Sequence, residues 1–211
     1  VLEIGCGTGM LLFKVAPHCA QYVGTDLSRQ ALDYVRQNLS GRPEESERVE
    51  LLQRAADDFS GAGPEQFDTV VINSVVQYFP SINYLASVLE NAVGATRPGG
   101  SIFVGDVRSL PLLEALHSAM ALHAPDNSEP VARLRQRAQA QMRQEDELVI
   151  DPAFFHALKQ RLPKISGVEI FPKRGRALNE LTQFRYQVVI RVGDPRPAQA
   201  DINWRDWQEE R

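Results

Sequence analysis

The sequence predicts an α/β fold of Rossmann-like type, in which helices flank a doubly wound parallel sheet. An apolar strand, Val1 to Ile4, runs directly into the glycine loop Gly5-Cys-Gly-Thr-Gly9. Short apolar segments then alternate with segments of helical periodicity. Asp26 stands at the end of the second strand, about twenty residues beyond the loop, where such folds place an acid that binds a ribose.

The first part of the chain supplies four of the expected strands. Ser28 is a typical N-cap residue, and the apolar side chains that follow it recur at helical spacing. The β-branched run that ends at Asn73 is typical of a central strand buried on both faces. The expected elements are strands at 1–4, 22–25, 49–53 and 67–73, and helices at 10–15 and from 28 to about 41.

The second part of the chain continues the alternation but contains a long interruption. A helix at 83–95, ended by Arg97-Pro-Gly-Gly100, precedes a fifth strand at 101–104. The charge-rich helical stretch 109–147 is too long for a simple crossover, so we expect a lid or substrate-recognition insertion there. Asp151 should cap a helix that starts with Pro152. Strands at 165–171 and 184–192 complete the sheet.

Composition limits the function classes. The chain has 211 residues, 43% of them hydrophobic, which suits one substantial core. A formal net charge of −4 gives no broad positive field, so nucleic acid is an unexpected partner. No apolar run is long enough to cross a bilayer, and a cytoplasmic location is expected. Cys6 and Cys19 lack metal-ligand spacing, which predicts free thiols and no metal site.

The chain is expected to hold one domain and a tail. It starts inside its first strand, which suggests a fragment of a longer protein. Residues 1–193 are assigned to the domain, with the helical lid at 109–147. Residues 194–211 begin with a segment rich in proline and small residues, so we interpret them as a linker and a C-terminal tail that leads toward a neighbouring domain.

Three acids follow three strands in order and point to a nucleotide-cofactor site. Glu3 precedes the glycine loop, Asp26 ends the second strand, and Asp57 follows the third strand next to Ala56. Glycine lets the backbone approach a ligand closely, and the spacing E-x-G-x-G-x-G differs from that of dinucleotide and triphosphate loops. Asp26 is therefore the expected ribose ligand, and Asp57 is the expected partner of an adenine ring.

These motifs resemble those of class I S-adenosylmethionine-dependent methyltransferases, which carry a seven-stranded sheet flanked by helices. The resemblance implies S-adenosyl-L-methionine as cofactor and S-adenosyl-L-homocysteine as product. Glu3 would help to hold the methionine end of the cofactor through the loop. The remaining cofactor-binding residues that it implies are Gly5, Cys6, Gly7, Gly9, Asp26, Leu27, Ala56, Asp57 and Asn73.

A narrower resemblance covers almost the whole chain. Val71-Ile-Asn-Ser-Val-Val-Gln-Tyr-Phe-Pro80, Gly105-Asp-Val-Arg-Ser109, Glu147-Leu-Val-Ile-Asp-Pro-Ala-Phe-Phe155 and Asn179-Glu-Leu-Thr-Gln-Phe-Arg-Tyr186 are similar to segments of the N-methyltransferase domains embedded in nonribosomal peptide synthetases. The resemblance implies an aminoacyl thioester on a carrier protein as substrate, with neighbouring synthetase domains as partners. Two alternatives stay open: an O-methyltransferase domain of a modular polyketide synthase, and an inactive scaffold domain.

The acceptor atom decides which catalytic residues are needed. A neutral amine requires only orienting groups, and Asn73, Gln77 and Tyr78 lie at and beyond the end of the fourth strand. Core packing is the alternative role of Tyr78. A hydroxyl acceptor would favour a base, for which His117 is the candidate.

Other charged residues near the strand ends are open to two interpretations each. Asp106 and Arg108 are expected to pair with each other rather than to bind substrate. Asn179 and Glu180 either reach the rim of the pocket or form a turn. The arginines at 133, 135, 137 and 143 either steer an acidic carrier protein or form a solvated helix face.

Overall fold

A computed structural model describes residues 1–122 and 130–193 as a seven-stranded mixed sheet with flanking helices. The strand order is β3-β2-β1-β4-β5-β7-β6. Strands β1 to β5 run parallel to one another, whereas β7 is antiparallel to both of its neighbours. The strands are β1 (Leu2–Ile4), β2 (Tyr22–Asp26), β3 (Val49–Gln53), β4 (Phe67–Asn73), β5 (Thr96–Arg108), β6 (Ile165–Pro172) and β7 (Arg185–Val192).

The helices follow the predicted alternation, with three differences. The first helix begins at Leu12, two residues later than expected, and a 3₁₀ turn over Ala16–His18 follows its predicted end. Two short helices, Pro43–Ser46 and Glu180–Phe184, lie in stretches for which no helix was predicted. The helices are α1 (Leu12–Val15), α2 (Arg29–Leu39), α3 (Pro43–Ser46), α4 (Ile82–Ala95), α5 (Leu113–Leu122), α6 (Val131–Arg143), α7 (Ala153–Arg161) and α8 (Glu180–Phe184).

Strand order creates a crevice at the carboxyl ends of β1 and β4. The chain leaves β1 toward β2 and β3 on one side, then returns to build β4 and β5 on the other. Connections that leave two adjacent parallel strands in opposite directions leave their carboxyl ends uncovered, and ligands bind there in open α/β sheets. The glycine loop follows β1 directly, so the topology places it at this crevice.

The core lies on both faces of the sheet. Val23 and Tyr22, adjacent in β2, point to opposite faces because side chains alternate along a strand. Val23 belongs to a large cluster with buried residues of α4 and α7, including Leu85 and Phe155. Tyr22 packs with α1 and α2 around Leu12. Helices on both sides therefore hold the strand ends in fixed positions.

Helix caps agree with the sequence. The Ser28 hydroxyl accepts a hydrogen bond from Ala31 N at 3.2 Å, as predicted for the start of α2. Asp151 accepts one from Ala153 N at 2.8 Å, although α7 begins at Ala153, one residue later than expected, with Pro152 at its N-cap position. These bonds satisfy amides that have no partner within the first helical turn.

The predicted insertion at 109–147 contains α5 and α6, which pack against each other. Residues 123–129 of this insertion lie outside the described residues, as do the predicted linker and tail at 194–211. Within the described ranges, no helix combines the length and the apolar character needed to cross a membrane.

The Leu85→Ala substitution tests the α4 packing. Leu85 is fully buried between α4 and the sheet, and truncation of such a side chain costs about 2–5 kcal/mol of unfolding free energy. Chemical denaturation of both proteins measures this loss. Leu178→Ala, at a site that is 88% exposed, is the control and should change stability by less than about 0.5 kcal/mol. A loss below about 1 kcal/mol for Leu85→Ala would contradict the described packing.

Candidate functional site

Two glycines shape the loop at the crevice. Gly5 and Gly7 both have positive φ angles, of 73° and 53°, which non-glycine residues rarely adopt. A Cβ atom at Gly5 would also lie 2.3 Å from Cγ2 of Val75, so the β4–α4 connection could not pack against the loop. A Cβ atom at Gly7 would meet no atom within 4 Å, which leaves the backbone there open to a ligand.

The Asp26 carboxylate joins the glycine loop to α2. Its Oδ2 accepts a hydrogen bond from Gly7 N and its Oδ1 accepts one from Ser28 N, both at 2.8 Å. A carboxylate has about four acceptor positions, so the oxygens can still accept hydrogen bonds from ligand hydroxyl groups. The carboxylate thus holds the loop and also presents acceptors to the crevice.

The loop and Asp26 border a cleft of about 470 Å³, a volume typical of small-molecule sites. The predicted cofactor residues that line it are Gly5, Gly7, Asp26, Leu27 and Ala56, together with the acceptor candidate Tyr78. Sequence reasoning missed Arg54, Ser74, Val75, Phe79, Pro80 and Tyr84, which also line it. The other predicted residues lie next to the cleft or away from it.

Glu3 and Cys6 are buried and do not line the cleft. Glu3 is only 3% exposed and accepts a hydrogen bond from the Tyr22 hydroxyl at 2.6 Å. Burial raises the pKa of Glu3, the Tyr22 hydrogen bond opposes this rise, and the Asp26 charge adds to it. Burial, with the charges of Glu3 and Asp26, raises the pKa of Cys6 to about 12, so its thiol stays protonated. Gly9 is also outside the lining of the cleft.

Asp57 is held at the edge of the cleft by α4. The Tyr84 hydroxyl donates to Asp57 Oδ1 at 2.8 Å, and Asn91 Nδ2 donates to the Asp57 carbonyl at 3.2 Å. The Tyr84 side chain lines the cleft and makes an edge-to-face contact with Phe79, with ring centroids 5.0 Å apart. Asp57 itself is exposed and lies beside the lining rather than within it.

The three acceptor candidates have different environments. Tyr78 is 72% exposed and lines the cleft, so the core-packing interpretation of this residue is wrong. Asn73 Nδ2 donates to Ser74 Oγ and buried Gln77 donates through Nε2 to the Ser74 carbonyl, both at 3.1 Å. Asn73 and Gln77 therefore contact Ser74, which lines the cleft, and do not line it themselves.

Ser74 also connects the cleft to β5. Its hydroxyl donates to Oδ2 of buried Asp106 at 2.9 Å. Both residues have positive φ angles, 58° for Ser74 and 66° for Asp106, and Glu65 is the only other non-glycine residue with a positive φ among the described ones. Strained backbone of this kind concentrates at functional sites.

The predicted ion pair between Asp106 and Arg108 is wrong. Asp106 pairs with Lys173 and Arg185, whereas Arg108 pairs with Glu145 and Glu147. The register between β5 and β7 shifts between Val104 and Val107, and Asp106 has a left-handed backbone. In a regular strand, residues two apart share a face, which is why the two side chains were expected to meet. The irregularity in β5 instead directs them to different partners.

His117 lies away from the glycine loop. It is buried on α5, with Nε2 at 3.2 Å from Glu145 Oε2, in a second cavity. Asn179 caps α8 through a capping box and Glu180 is the first residue of that helix, so the two residues start a short helix rather than form a turn; Glu180 also pairs with Arg185. Arg137 donates to the Ala121 carbonyl, and so one of the four α6 arginines contacts α5.

Cys6 and Cys19 are free thiols, and the described residues hold no metal-binding group of three or more His, Cys, Asp or Glu side chains.

Sequence comparison finds a matching domain family and similar segments within large synthetases. A family model described as "Methyltransferase domain" matches residues 2–102. Chondramide synthase cmdD of Chondromyces crocatus is 47% identical over 210 residues, and the beauvericin nonribosomal cyclodepsipeptide synthetase of Beauveria bassiana is 37% identical over 215 residues. The alignments cover 100% and 99% of this chain, but the chain spans only 5% and 7% of those proteins.

Solved structures show the same fold. The N-methyltransferase NodS from Bradyrhizobium japonicum, in complex with S-adenosyl-L-homocysteine, aligns with a TM-score of 0.62 at 19% identity. The alignment covers 92% of this chain and 77% of that one. The fold of the described residues is therefore shared with NodS despite low sequence identity.

Glu3→Gln tests the buried carboxyl group by its pH dependence. The folded pKa of Glu3 is raised, so its contribution to stability is complete below the unfolded value of about 4.3 and is lost as pH rises through the folded value. The unfolding free energy of the wild type should therefore fall relative to that of Glu3→Gln between pH 4 and 7. Denaturant titrations at several pH values measure the difference, with Glu90→Gln on the exposed side of α4 as control. A difference that stays constant with pH would contradict the described burial.

Proposed function

We propose that this chain, a member of the class I S-adenosylmethionine-dependent methyltransferases, is the methyltransferase segment of a nonribosomal peptide synthetase. Its substrate in this proposal is the amine of an aminoacyl thioester held on a carrier protein. The relatives that support this assignment are named as a chondramide synthase and a nonribosomal cyclodepsipeptide synthetase, and they align over nearly the whole chain. The cytoplasmic location stays a prediction.

The cleft at the carboxyl ends of β1 and β4 is the observation on which the function depends. It combines an open backbone at Gly7 with carboxylate acceptors at Asp26, in a volume of about 470 Å³. Backbone amides and a carboxylate suit a nucleoside with ribose hydroxyl groups, and the apolar side chains of Leu27 and Ala56 suit the faces of a purine. The residues therefore fit S-adenosyl-L-methionine.

Each part of the cleft has a distinct role in holding this cofactor. Asp26 would accept hydrogen bonds from the ribose, and Asp57 with Ala56 would bind the adenine. Gly5 and Gly7 would allow close approach of the methionine end, with Glu3 supporting the loop. When bound, S-adenosyl-L-methionine supplies an electrophilic methyl group on its sulfonium and becomes S-adenosyl-L-homocysteine.

An amine acceptor suits the residues at the cleft. An α-amine has a pKa of about 7.7–8.0, so a useful fraction is neutral near physiological pH without a strong base. The chain then has only to orient the amine lone pair and exclude water, which is a positioning task. Tyr78 lines the cleft and can take part directly, whereas Asn73 and Gln77 would act through Ser74.

A hydroxyl acceptor is less consistent with the geometry. It needs a base within hydrogen-bond reach of the proton that leaves. His117, the candidate base, lines the second cavity and not the cleft of the glycine loop. The carrier protein and the neighbouring synthetase domains remain parts of the proposal that the similar synthetases support.

Asp26→Ala should weaken cofactor binding. Hydrogen bonds to a charged group contribute about 1.5–3 kcal/mol, so Kd for S-adenosyl-L-homocysteine should rise roughly 10- to 150-fold. Isothermal titration calorimetry measures Kd directly. Asp33→Ala removes an acid from the same helix region, where it pairs with Arg36 outside the cleft, and should leave Kd unchanged. Equal Kd values for Asp26→Ala and the wild type would refute the ribose assignment.

Methyl transfer to loaded carrier proteins tests the substrate class. The domain, in its natural synthetase context, is offered aminoacyl-loaded and β-hydroxyacyl-loaded carrier protein with S-adenosyl-L-methionine, and intact-protein mass is measured. We expect a gain of one methyl group on the aminoacyl carrier alone. A gain on the hydroxyacyl carrier alone would replace the proposal with O-methylation, and cofactor binding without any transfer would favour an inactive scaffold.

A further inference from the structure

Ser74 lines the cofactor cleft, and the protein uses nearly all of its hydrogen-bonding groups. Its N–H donates to the Gly105 carbonyl at 3.2 Å, and its own carbonyl accepts from Gln77 Nε2 at 3.1 Å. Its Oγ contacts Asn73 Nδ2 at 3.1 Å and Asp106 Oδ2 at 2.9 Å. A hydroxyl has one donor and two acceptor positions. The described residues therefore leave one acceptor position of the Ser74 hydroxyl open.

The two partners of this hydroxyl fix the direction of its proton. The Asn73 amide nitrogen can only donate, and the Asp106 carboxylate can only accept, so the Ser74 proton lies toward Asp106. A hydroxyl held in this way can accept a hydrogen bond from an amine N–H group. It cannot donate to the amine nitrogen, so the lone pair of the amine stays free to react.

Two cations balance the charge of Asp106. Lys173 Nζ contacts its Oδ1, and Arg185 Nη1 lies 3.5 Å from its Oδ2. Asp106 is buried, and the Lys173 and Arg185 side chains are only 22% and 11% exposed, so salt screens these charges little. Arg185 also pairs with Glu180, whereas Lys173 pairs with Asp106 alone within the described residues. Lys173 is therefore the main counter-charge of this carboxylate.

This counter-charge affects the form of an amine bound at Ser74. An ammonium group has no lone pair with which to react, and a nearby negative charge raises the pKa of an amine. An α-amine has a pKa of about 7.7–8.0, so even a modest rise leaves most of it protonated near physiological pH. Lys173 and Arg185 offset the charge of Asp106, and so Asp106 can orient Ser74 without stabilising the ammonium.

Other charged groups surround the two ends of this network. Those in or beside the lining of the cleft, with the titratable phenols, are Asp26, Arg54, Asp57, Tyr78 and Tyr84. Arg185 also lines the second cavity, together with Arg108, His117, Glu145, Glu147 and Glu180. All of these groups stay unchanged when Asp106 or Lys173 is replaced, so a difference between such variants reports the replaced charge.

We propose that Ser74 accepts a hydrogen bond from the acceptor amine, and that Asp106 and Lys173 orient Ser74 while keeping the amine neutral. The inference rests on the proposed function and assigns the orientation and protonation of the acceptor to named residues. Ser74 touches the substrate, whereas Asp106 and Lys173 are positioning residues. The amine releases a proton to water and then forms its bond to the methyl carbon. The carbon–sulfur bond breaks with its electron pair left on sulfur, and the product ammonium loses its proton to water.

The pH dependence of methyl transfer tests the charge balance. Single-turnover rates are measured in the natural synthetase context, with the aminoacyl carrier protein that the wild type methylates at saturation. The midpoint of the profile then follows the pKa of the bound amine. Lys173→Met removes a positive charge and should raise this midpoint by about one pH unit, whereas Asp106→Asn should lower it by about as much.

Matched variants control for structural damage. Lys173→Arg keeps the charge and should keep the wild-type midpoint. Lys164→Met makes the Lys-to-Met change at an exposed residue that pairs with Glu65, and it should not move the midpoint. Because the Lys173 side chain is partly exposed, the comparison of Lys173→Met with Lys173→Arg decides the question even if Asp106→Asn does not fold.

The protonation of the bound amine is also measured without methyl transfer. An amide-linked analogue of the same aminoacyl carrier, labelled with ¹⁵N at its amine, is bound together with S-adenosyl-L-homocysteine, and its ¹⁵N chemical shift is followed with pH. The same opposite displacements are expected for Lys173→Met and Asp106→Asn. Coincident midpoints for these variants and the wild type, or displacements in the same direction, would overturn the role of the charge pair.

Ser74→Ala tests the contact with the amine. It should lower the single-turnover rate about tenfold, as expected for one lost hydrogen bond. Kd for S-adenosyl-L-homocysteine should stay within about threefold of the wild-type value, which shows that the variant is folded. Ser40→Ala, at an exposed position after α2, is the control and should change neither quantity. Equal rates for Ser74→Ala and Ser40→Ala would contradict the assignment of Ser74.

The transfer assay separates this inference from the proposed function. Absence of transfer to every aminoacyl carrier would reject the proposed function and this inference with it. Transfer by the wild type, together with midpoints that do not respond to Lys173→Met, would reject the inference alone and leave the proposed function intact.

Discussion

The two hydrogen bonds that Asp26 accepts, from Gly7 N and Ser28 N, are the interaction on which the site depends. They fix the glycine loop to the start of α2, while Gly5 N and Cys6 N donate to the Thr25 carbonyl at 2.8 and 2.9 Å. The end of β2 therefore determines the conformation of the loop after β1. A ligand that binds Asp26 contacts a carboxylate whose position is already set, so little ordering is required on binding.

A second centre, at the ends of β4 and β5, adjoins this arrangement. Ser74 and Asp106 both have left-handed backbone and share a hydrogen bond, and the positive side chains of Lys173 and Arg185 neutralise the buried carboxylate. Such strain persists only where surrounding interactions hold it in place. Four residues from separate segments thus join the cofactor cleft to the charged cavity beside it.

Much of the fold was predictable because its signals are local. The apolar strands, the Ser28 cap and the glycine loop each follow from residues close together in the chain. Residues that meet through long-range packing were harder to foresee. The Tyr22 hydroxyl on β2 donates a hydrogen bond to Glu3 on β1, and the Tyr84 hydroxyl on α4 donates one to Asp57, 27 residues earlier in the chain. Neither tyrosine carries a sequence signal for that role.

The sequence by itself determined the fold class, the glycine loop and the acid at the end of β2, because backbone preferences and strand periodicity act over a few residues. Only the tertiary structure decided which charges pair, since the bulge in β5 directs Asp106 and Arg108 to different partners. It also placed His117 and Gln141 around a common cavity. Packing of α5, α6 and α8 creates that cavity, and contacts between distant segments have no periodic pattern in the chain.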